Sequence, residues 1–300
     1  MFITGIMKGI DMYLDKYKIT GTVNMDVNPC FSKEDTYIKF QEDLEIFKSS
    51  LVKVVDSKES KTFYKFGDGD YFFLKSQAVG SAAPGKRALG KNFSEINMHE
   101  FLEGSILNDF YTCEIYPENR RMFKELFPNV DIDFPAEYGY GLVANKWILQ
   151  TFSGKVGLIG ADKKIELIKE LMQFDEYKDY LQINEFNDYI KIPQKFSCDN
   201  LNKTEEMVAS QLMTSNSDIF LVGIGHVKSG LMHRLKKYKK AIFLDVGSAI
   251  DAIAGIIDTD RPFFGDWTNY QSRSLNYEEI DYLAYQGKGK HIILNKNGKS

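Results

Sequence analysis

The 300 residues, 43% hydrophobic and 27% charged, have the balance of an ordinary globular protein with ample material for a core. A net charge of −4 and a pI near 5.7 exclude a broad nucleic-acid-binding surface. Three cysteines (Cys30, Cys113 and Cys198) lie far apart, which excludes a disulfide framework or a metal-spaced pair and points to a reducing, cytoplasmic compartment.

The opening "MFITGIMKGIDMYLDKYKI" is apolar but broken by Lys8, Asp11 and Asp15, so it reads as neither a signal peptide nor a membrane span. No other stretch approaches about 18 uninterrupted apolar residues, so no transmembrane segment is expected. In "TYIKFQEDLEIFKSSLVKVV", Ile38, Phe40, Leu44, Phe47, Leu51 and Val54 keep helical spacing. Residues 1–60 are therefore expected to form a helical elaboration. "KTFYKF" follows as a strand that enters the turn Gly67-Asp68-Gly69-Asp70.

The second half alternates regularly. Strands are expected at "KVGLIG" (155–160), "DYIKIP" (188–193), "DIFLVGIG" (218–225) and "KAIFLDVG" (240–247). Between and after them, "DKKIELIKELMQF", "NKTEEMVASQLMTS", "HVKSGLMHRLKKY" and "SAIDAIAGII" read as helices. The pattern predicts an α/β fold: a Rossmann-like, mainly parallel sheet with helices on both faces. Ligands of such sheets bind outside the carboxyl ends of the strands, where Gly157, Gly160, Gly223, Gly225 and Gly247 cluster. Glycines there admit a phosphate close to backbone amides, although they also simply permit a strand-to-helix turn.

Two motifs miss their templates. "GIGHVKSG" (223–230) is one residue too long for a dinucleotide fingerprint, although Asp245 ends the next strand where a ribose contact is conceivable. It reads better as a phosphate-friendly turn with His226, Lys228 and Ser229 at a helix start. "GSAAPGKR" (80–87) resembles a P-loop, but Arg87 stands where Ser or Thr should hold magnesium. Lys86 and Arg87, with Lys91, remain candidates to neutralise a diphosphate, against the alternative of a solvated loop. The lysines at 236, 237, 239 and 240 read as a solvated helix end. The four histidines show no metal spacing.

The GDGD turn raises the main chemical question. Flanking glycines let the chain bend and bring two carboxylates at i and i+2 toward one point. Mg²⁺ and Mn²⁺ need only one or two protein carboxylates when phosphate oxygens complete the shell, so Asp68 and Asp70 are candidate metal ligands. Such pairs also arise as plain turns, and "DTD" (258–260) is a second example without glycine flanks. In "FPAEYGYGLVANKW" (134–147), Glu137 is the candidate catalytic base. Tyr138, Tyr140 and Trp147 would be stacking faces for a sugar, with Asn145 and Lys146 as polar handles. The competing account is an aromatic core helix with Glu137 in its first turn. "RPFFGDWTNYQ" (261–271) poses the same choice.

"YKFGDGDYFFL" resembles the signature turn of GT-D fold glycosyltransferases, and "IFLVGIGHVKSGLMHRLKKYKKAIFLDVGS" resembles their later strand-helix-strand, ended by D-x-G. The likeness spans about residues 60 to 275, with a weaker middle, and implies a glycosyltransferase domain over 61–275 and a tail over 276–300. It implies transfer from a nucleotide sugar, a UDP-sugar in the first instance, to a glycan or glycoprotein acceptor with Mn²⁺ or Mg²⁺ as cofactor. Asp68 and Asp70 match the acidic pair, the second being commonly Glu in the family. Lys65 matches a preceding basic residue, and Asp245 and Gly247 match the D-x-G. Gly67, Gly69, Lys86, Arg87, Gly223, Gly225, His226, Lys228 and Ser229 would line the donor. Two other classes stay open: a Rossmann-fold SAM-dependent methyltransferase using Gly223, Gly225 and Asp245, and a nucleotide- or sugar-phosphate-binding module without turnover.

Overall fold

The computed structural model describes residues 34–76, 93–144, 146–193 and 195–254. Lys86, Arg87, Asn145, the pair Asp258 and Asp260, the segment 261–271 and the tail 276–300 lie outside them, as does the domain end expected at 275.

Helix α1 (Glu34–Ser57) leads into β1 (Lys61–Phe66), α2 (Asp68–Leu74) and α3 (Met98–Ser105). Next come β2 (Phe110–Cys113), α4 (Pro117–Leu126), β3 (Phe134–Pro135), α5 (Ala136–Ala144) and α6 (Trp147–Thr151). The regular half supplies β4 (Val156–Ala161), α7 (Asp162–Leu171), α8 (Asp175–Leu181), β5 (Asp188–Ile192) and α9 (Leu201–Leu212). It closes with β6 (Ile219–Gly223), α10 (Lys228–Leu231), β7 (Ile242–Asp245) and α11 (Ala249–Ile253).

The seven strands make one sheet in the order β3-β2-β1-β7-β6-β4-β5, and every pairing is parallel. This is the expected Rossmann-like layer with helices on both faces. Buried positions split between the faces with the period of two that a strand imposes. Phe63, Leu158, Leu221, Ile242 and Leu244 meet α1, α5, α6, α7, α8 and α11 on one side. Tyr64, Phe66, Ile159, Val222 and Phe243 meet α2, α3, α4, α9 and α10 on the other. The described part of the expected N-terminal elaboration belongs to the first layer: Leu44, Phe47 and Leu51 of α1 are wholly buried there, spaced as one helical stripe.

Three features depart from the sequence reading. Strands β2 and β3 fall in the weakly matched middle and carry little signal, being four and two residues long. Pro135 is tolerated because β3 is an edge strand. The expected helix "HVKSGLMHRLKKY" is one short α turn, α10, between 3-10 segments at Gly225–Val227 and Met232–Lys237. Gly230 sits tightly here, since a Cβ would fall 2.5 Å from Leu201 and 3.2 Å from Phe101.

Among the described residues no helix is long and apolar enough to cross a membrane.

Candidate functional site at the carboxyl edge of the sheet

The loops after β1, β2, β6 and β7 bring a charged cluster together at the carboxyl ends of the strands. Alternation along β1 decides which side chain goes where. Tyr64 shares a face with α10, while Lys65 points to the other face and reaches toward α5. Gly67 then caps α2, and the turn closes on itself: the Gly67 N–H donates to Asp70 Oδ2 at 2.9 Å and the Asp70 N–H to Gly67 O at 3.0 Å.

This closure turns Asp70 inward. Its Oδ2 lies 3.0 Å from Lys228 Nζ, and its Oδ1 lies 3.4 Å from His226 Nδ1. The His226 ring stacks on Phe73 at 4.9 Å with a 12° tilt, so the helix that presents Asp70 also supports its partner. Lys228 continues to Asp245 Oδ2 at 2.7 Å, donates to the backbone carbonyl of Lys65, and lies over the Tyr64 ring. Tyr64 and Ser229 share a hydroxyl hydrogen bond of 2.8 Å. Asp245 also accepts from the N–H groups of Lys65 at 3.3 Å and Gly247 at 3.0 Å. One buried ammonium thus joins the ends of β1, β6 and β7.

The electrostatics follow from that arrangement. Burial would push the Asp70 carboxyl up, but Lys228, His226 and Lys65 outweigh it and hold the group well below the usual carboxylate range. Burial would likewise push the Lys228 ammonium down, yet Asp245 and Asp70 keep it well above the usual lysine range.

Asp68 behaves differently. It is exposed, and its Oδ1 accepts the N–H of Gly69, itself half-buried, at 2.7 Å. The two carboxylates therefore diverge, one to solvent and one into a buried ion pair. No group of three or more His, Cys, Asp or Glu among the described residues could hold a metal ion. As folded, the turn does not fit a two-carboxylate metal clamp, because Asp70 is already committed to an ammonium. The chemistry assigned to this edge is that of its own side chains.

On the other face, Lys65 Nζ is 3.5 Å from Glu114 Oε1 and lies over the Tyr140 ring at 5.1 Å. Tyr140 donates to the same Glu114 oxygen at 3.0 Å, and Asn119 donates to Oε2 at 2.5 Å. A Cβ on Gly67 would stand 3.3 Å from Lys65 Nζ, and one on Gly247 would stand 3.7 Å away, so this ammonium adjoins both turns. Glu114 belongs to no recognisable motif and only its position just after β2 identifies it, whereas Tyr140 stands out in its aromatic stretch but serves Glu114 and Lys65 here.

The glycines at the strand ends divide by role. Gly225 (φ +62°) is exposed with open space where a Cβ would be, and Gly247 (φ +49°) makes the turn after β7; both need the left-handed region. Gly160 and Gly223 instead make room for packing. A Cβ on Gly223 would fall 2.5 Å from Ile250 Cγ1, and one on Gly160 would fall 3.4 Å from Ile250 Cγ2. The crevice between β4 and β6, where successive connections leave in opposite directions, is thereby filled by α11.

Tyr138 and Tyr140 lie within the core and offer no open stacking face, and Trp147 packs against that core beneath Lys48. Glu137, in the first turn of α5, has no exposed surface, so an acceptor hydroxyl cannot touch it in this fold. The aromatic core helix is the account that fits. The lysine group lies at the opposite, amino edge: Lys236 pairs at 2.7 Å with Asp109, whose carboxylate also takes the Thr62 N–H beginning β1.

Comparison of the chain with protein-family models, curated proteins and solved structures gives no significant match.

Proposed function

We propose that this protein is a glycosyltransferase that holds a nucleotide sugar at the carboxyl edge of the sheet, beside the GDGD turn. One observation carries the reading. The two segments that resemble GT-D glycosyltransferases are far apart in the chain, Lys65 and Lys228 being 163 positions apart, yet they close on each other through Asp70, His226, Lys228 and Asp245. Carboxyl edges of parallel sheets are where such ligands bind.

In this reading Lys65 is the partly open cation that meets the diphosphate, while Lys228 stays buried and holds the turns in register. Gly225 leaves its backbone accessible to a phosphate or ribose. Transfer breaks the bond between the sugar's anomeric carbon and the diphosphate oxygen and forms one to the acceptor oxygen. The acceptor's proton must leave with a base. Glu114, which keeps 14% side-chain exposure beside Lys65, and the solvent-facing Asp68 are the carboxylates at this edge that an acceptor could meet. The methyltransferase alternative has less behind it, since packing against Ile250 already accounts for the glycine at 223.

The test is calorimetric titration with UDP and UDP-sugars, followed by assay of UDP release with candidate glycan acceptors. Binding with acceptor-dependent release supports the enzyme. Binding without release supports a module that only carries the nucleotide. Absence of binding by any nucleoside diphosphate refutes both.

A further inference from the structure

Behind the Lys65–Glu114 pair sits a carboxyl group that the reading above leaves unused. Glu137 is wholly buried. Its Oε1 accepts the Ile115 N–H at 3.0 Å, while its Oε2 has no hydrogen-bond partner among the described residues. A buried carboxylate with an orphaned oxygen is expensive, and taking up a proton removes most of that cost.

The surroundings favour the proton further. Burial pushes the Glu137 carboxyl up to about 7; the Ile115 N–H and the backbone N–H of Glu137 itself oppose this, Glu114 adds to it and Lys65 opposes it. Cys113 and Glu114 face it from the end of β2, Lys65 from β1 and Tyr140 from its own helix. Arg120 of α4 and Asp43 of α1 act on the adjoining Tyr138, and Asp245 acts on Tyr140. Burial holds the Cys113 thiol up at about 12 and both phenols higher than usual, so these three stay neutral near pH 7. The immediate charges are Glu114 and Lys65.

We propose that Glu137 is a positioning residue, a proton-dependent switch that sets how far Lys65 is available to an anion at the carboxyl edge. Protonated, it leaves Glu114 as the carboxylate paired with Lys65 on this face. When the proton passes to solvent, a second carboxylate appears behind Glu114, draws the ammonium back and lowers the positive potential a diphosphate meets. The identity of the anion rests on the nucleotide-sugar reading; the switch itself does not.

The experiment pairs two readouts on the full chain. Infrared difference spectroscopy follows the protonated-carboxyl band of Glu137, which should vanish with a midpoint near pH 7 and be missing from Glu137→Gln. Calorimetry measures UDP affinity at about pH 6 and about pH 8 in both proteins, so that ionisation of UDP itself cancels in the ratio. Between these pH values the wild type should lose roughly threefold to tenfold in affinity relative to the variant. Parallel pH profiles, or a Glu137 already ionised at about pH 5, overturn the switch. If UDP binds at no pH, the nucleotide reading fails and the infrared midpoint alone decides the switch. Should Glu137→Gln not fold, Glu114→Gln serves: removing that neighbour must move the infrared midpoint down, and an unmoved midpoint overturns the coupling.

Discussion

Lys228 shows how much can depend on one side chain. Its side chain is 7% exposed and its ammonium lies between Asp70 and Asp245, so replacing it with Met takes the shared ammonium from two buried carboxylates. Removing one partner of a buried pair costs about 3–5 kcal/mol, and a urea melt of Lys228→Met should show a loss of that order. The same geometry separates the two aspartates of the turn. Asp70→Asn should lower the urea midpoint clearly, whereas Asp68→Asn should leave it unchanged within error, because Asp68 faces solvent. Equal effects would mean that the turn is not closed as described. Glu137 adds a pH signature. Its folded carboxyl is raised from its ordinary value to about 7, so the native state binds the proton more tightly than the unfolded chain does. Stability is then full below about pH 4.5, falls as pH rises toward 7 and is level above that. Glu137→Gln removes this slope and should exceed the wild type in relative stability at about pH 8, by about 3 kcal/mol at most. Urea melts across that range check it; wild-type and variant curves of the same shape would place the carboxyl's titration elsewhere.

Elements were legible in the sequence where local pattern and tertiary packing agree. "KTFYKF" becomes β1 over the same six residues, and the four apolar runs of the second half become β4 to β7 with ends displaced by one or two positions. Short strands defeat the same reading: four residues of β2 and two of β3 give no periodicity to detect, and their pairing partners lie elsewhere in the chain. Tertiary closeness also overrides helical pattern around α10, where Gly104 and Gly230 allow backbone to approach backbone. A Cβ on Gly104 would fall 2.6 Å from Ser229 O. The GDGD turn and the glycine-rich turn after β6 were visible separately; their meeting was expected from the resemblance and from the rule that ligands bind at the carboxyl edge, while the sheet order that brings them together is encoded in no spacing. Glycine itself is ambiguous in sequence. Gly223 looks like a ligand glycine and is a packing one, so Gly223→Ala should cost about 1–3 kcal/mol through collision with Ile250. Combining it with Ile250→Ala should recover part of that loss in thermal melts. If Gly223→Ala proves neutral for folding and alters only nucleotide binding, the crevice between β4 and β6 is open to ligand after all.

At the scale of the whole molecule, the parallel sheet sorts lysines that look alike in sequence onto opposite edges. Lys236 at the amino edge is matched by Asp109, whose carboxylate also accepts from the N–H and hydroxyl of Thr62, so its charge is spent on fastening the start of β1. Lys65 at the carboxyl edge has a looser contact of 3.5 Å with Glu114 and adjoins the glycines of two turns, Gly67 and Gly247. Of the two ammoniums, the one of Lys65 has the longer ion contact and lies beside the turns after β1 and β7. Lys65→Met should therefore weaken UDP at least tenfold and flatten the salt dependence of binding, since an ion contact is lost from a partly solvated place. Lys236→Met should leave UDP affinity unchanged and lower stability by up to about 1 kcal/mol, the range of a partly exposed ion pair. Calorimetry in low and high salt, with a urea melt of each variant, separates these outcomes. If Lys236→Met weakens UDP while Lys65→Met does not, the anion is drawn to the amino edge, and the carboxyl-edge cluster of Asp70, Lys228 and Asp245 holds the fold together without serving a ligand.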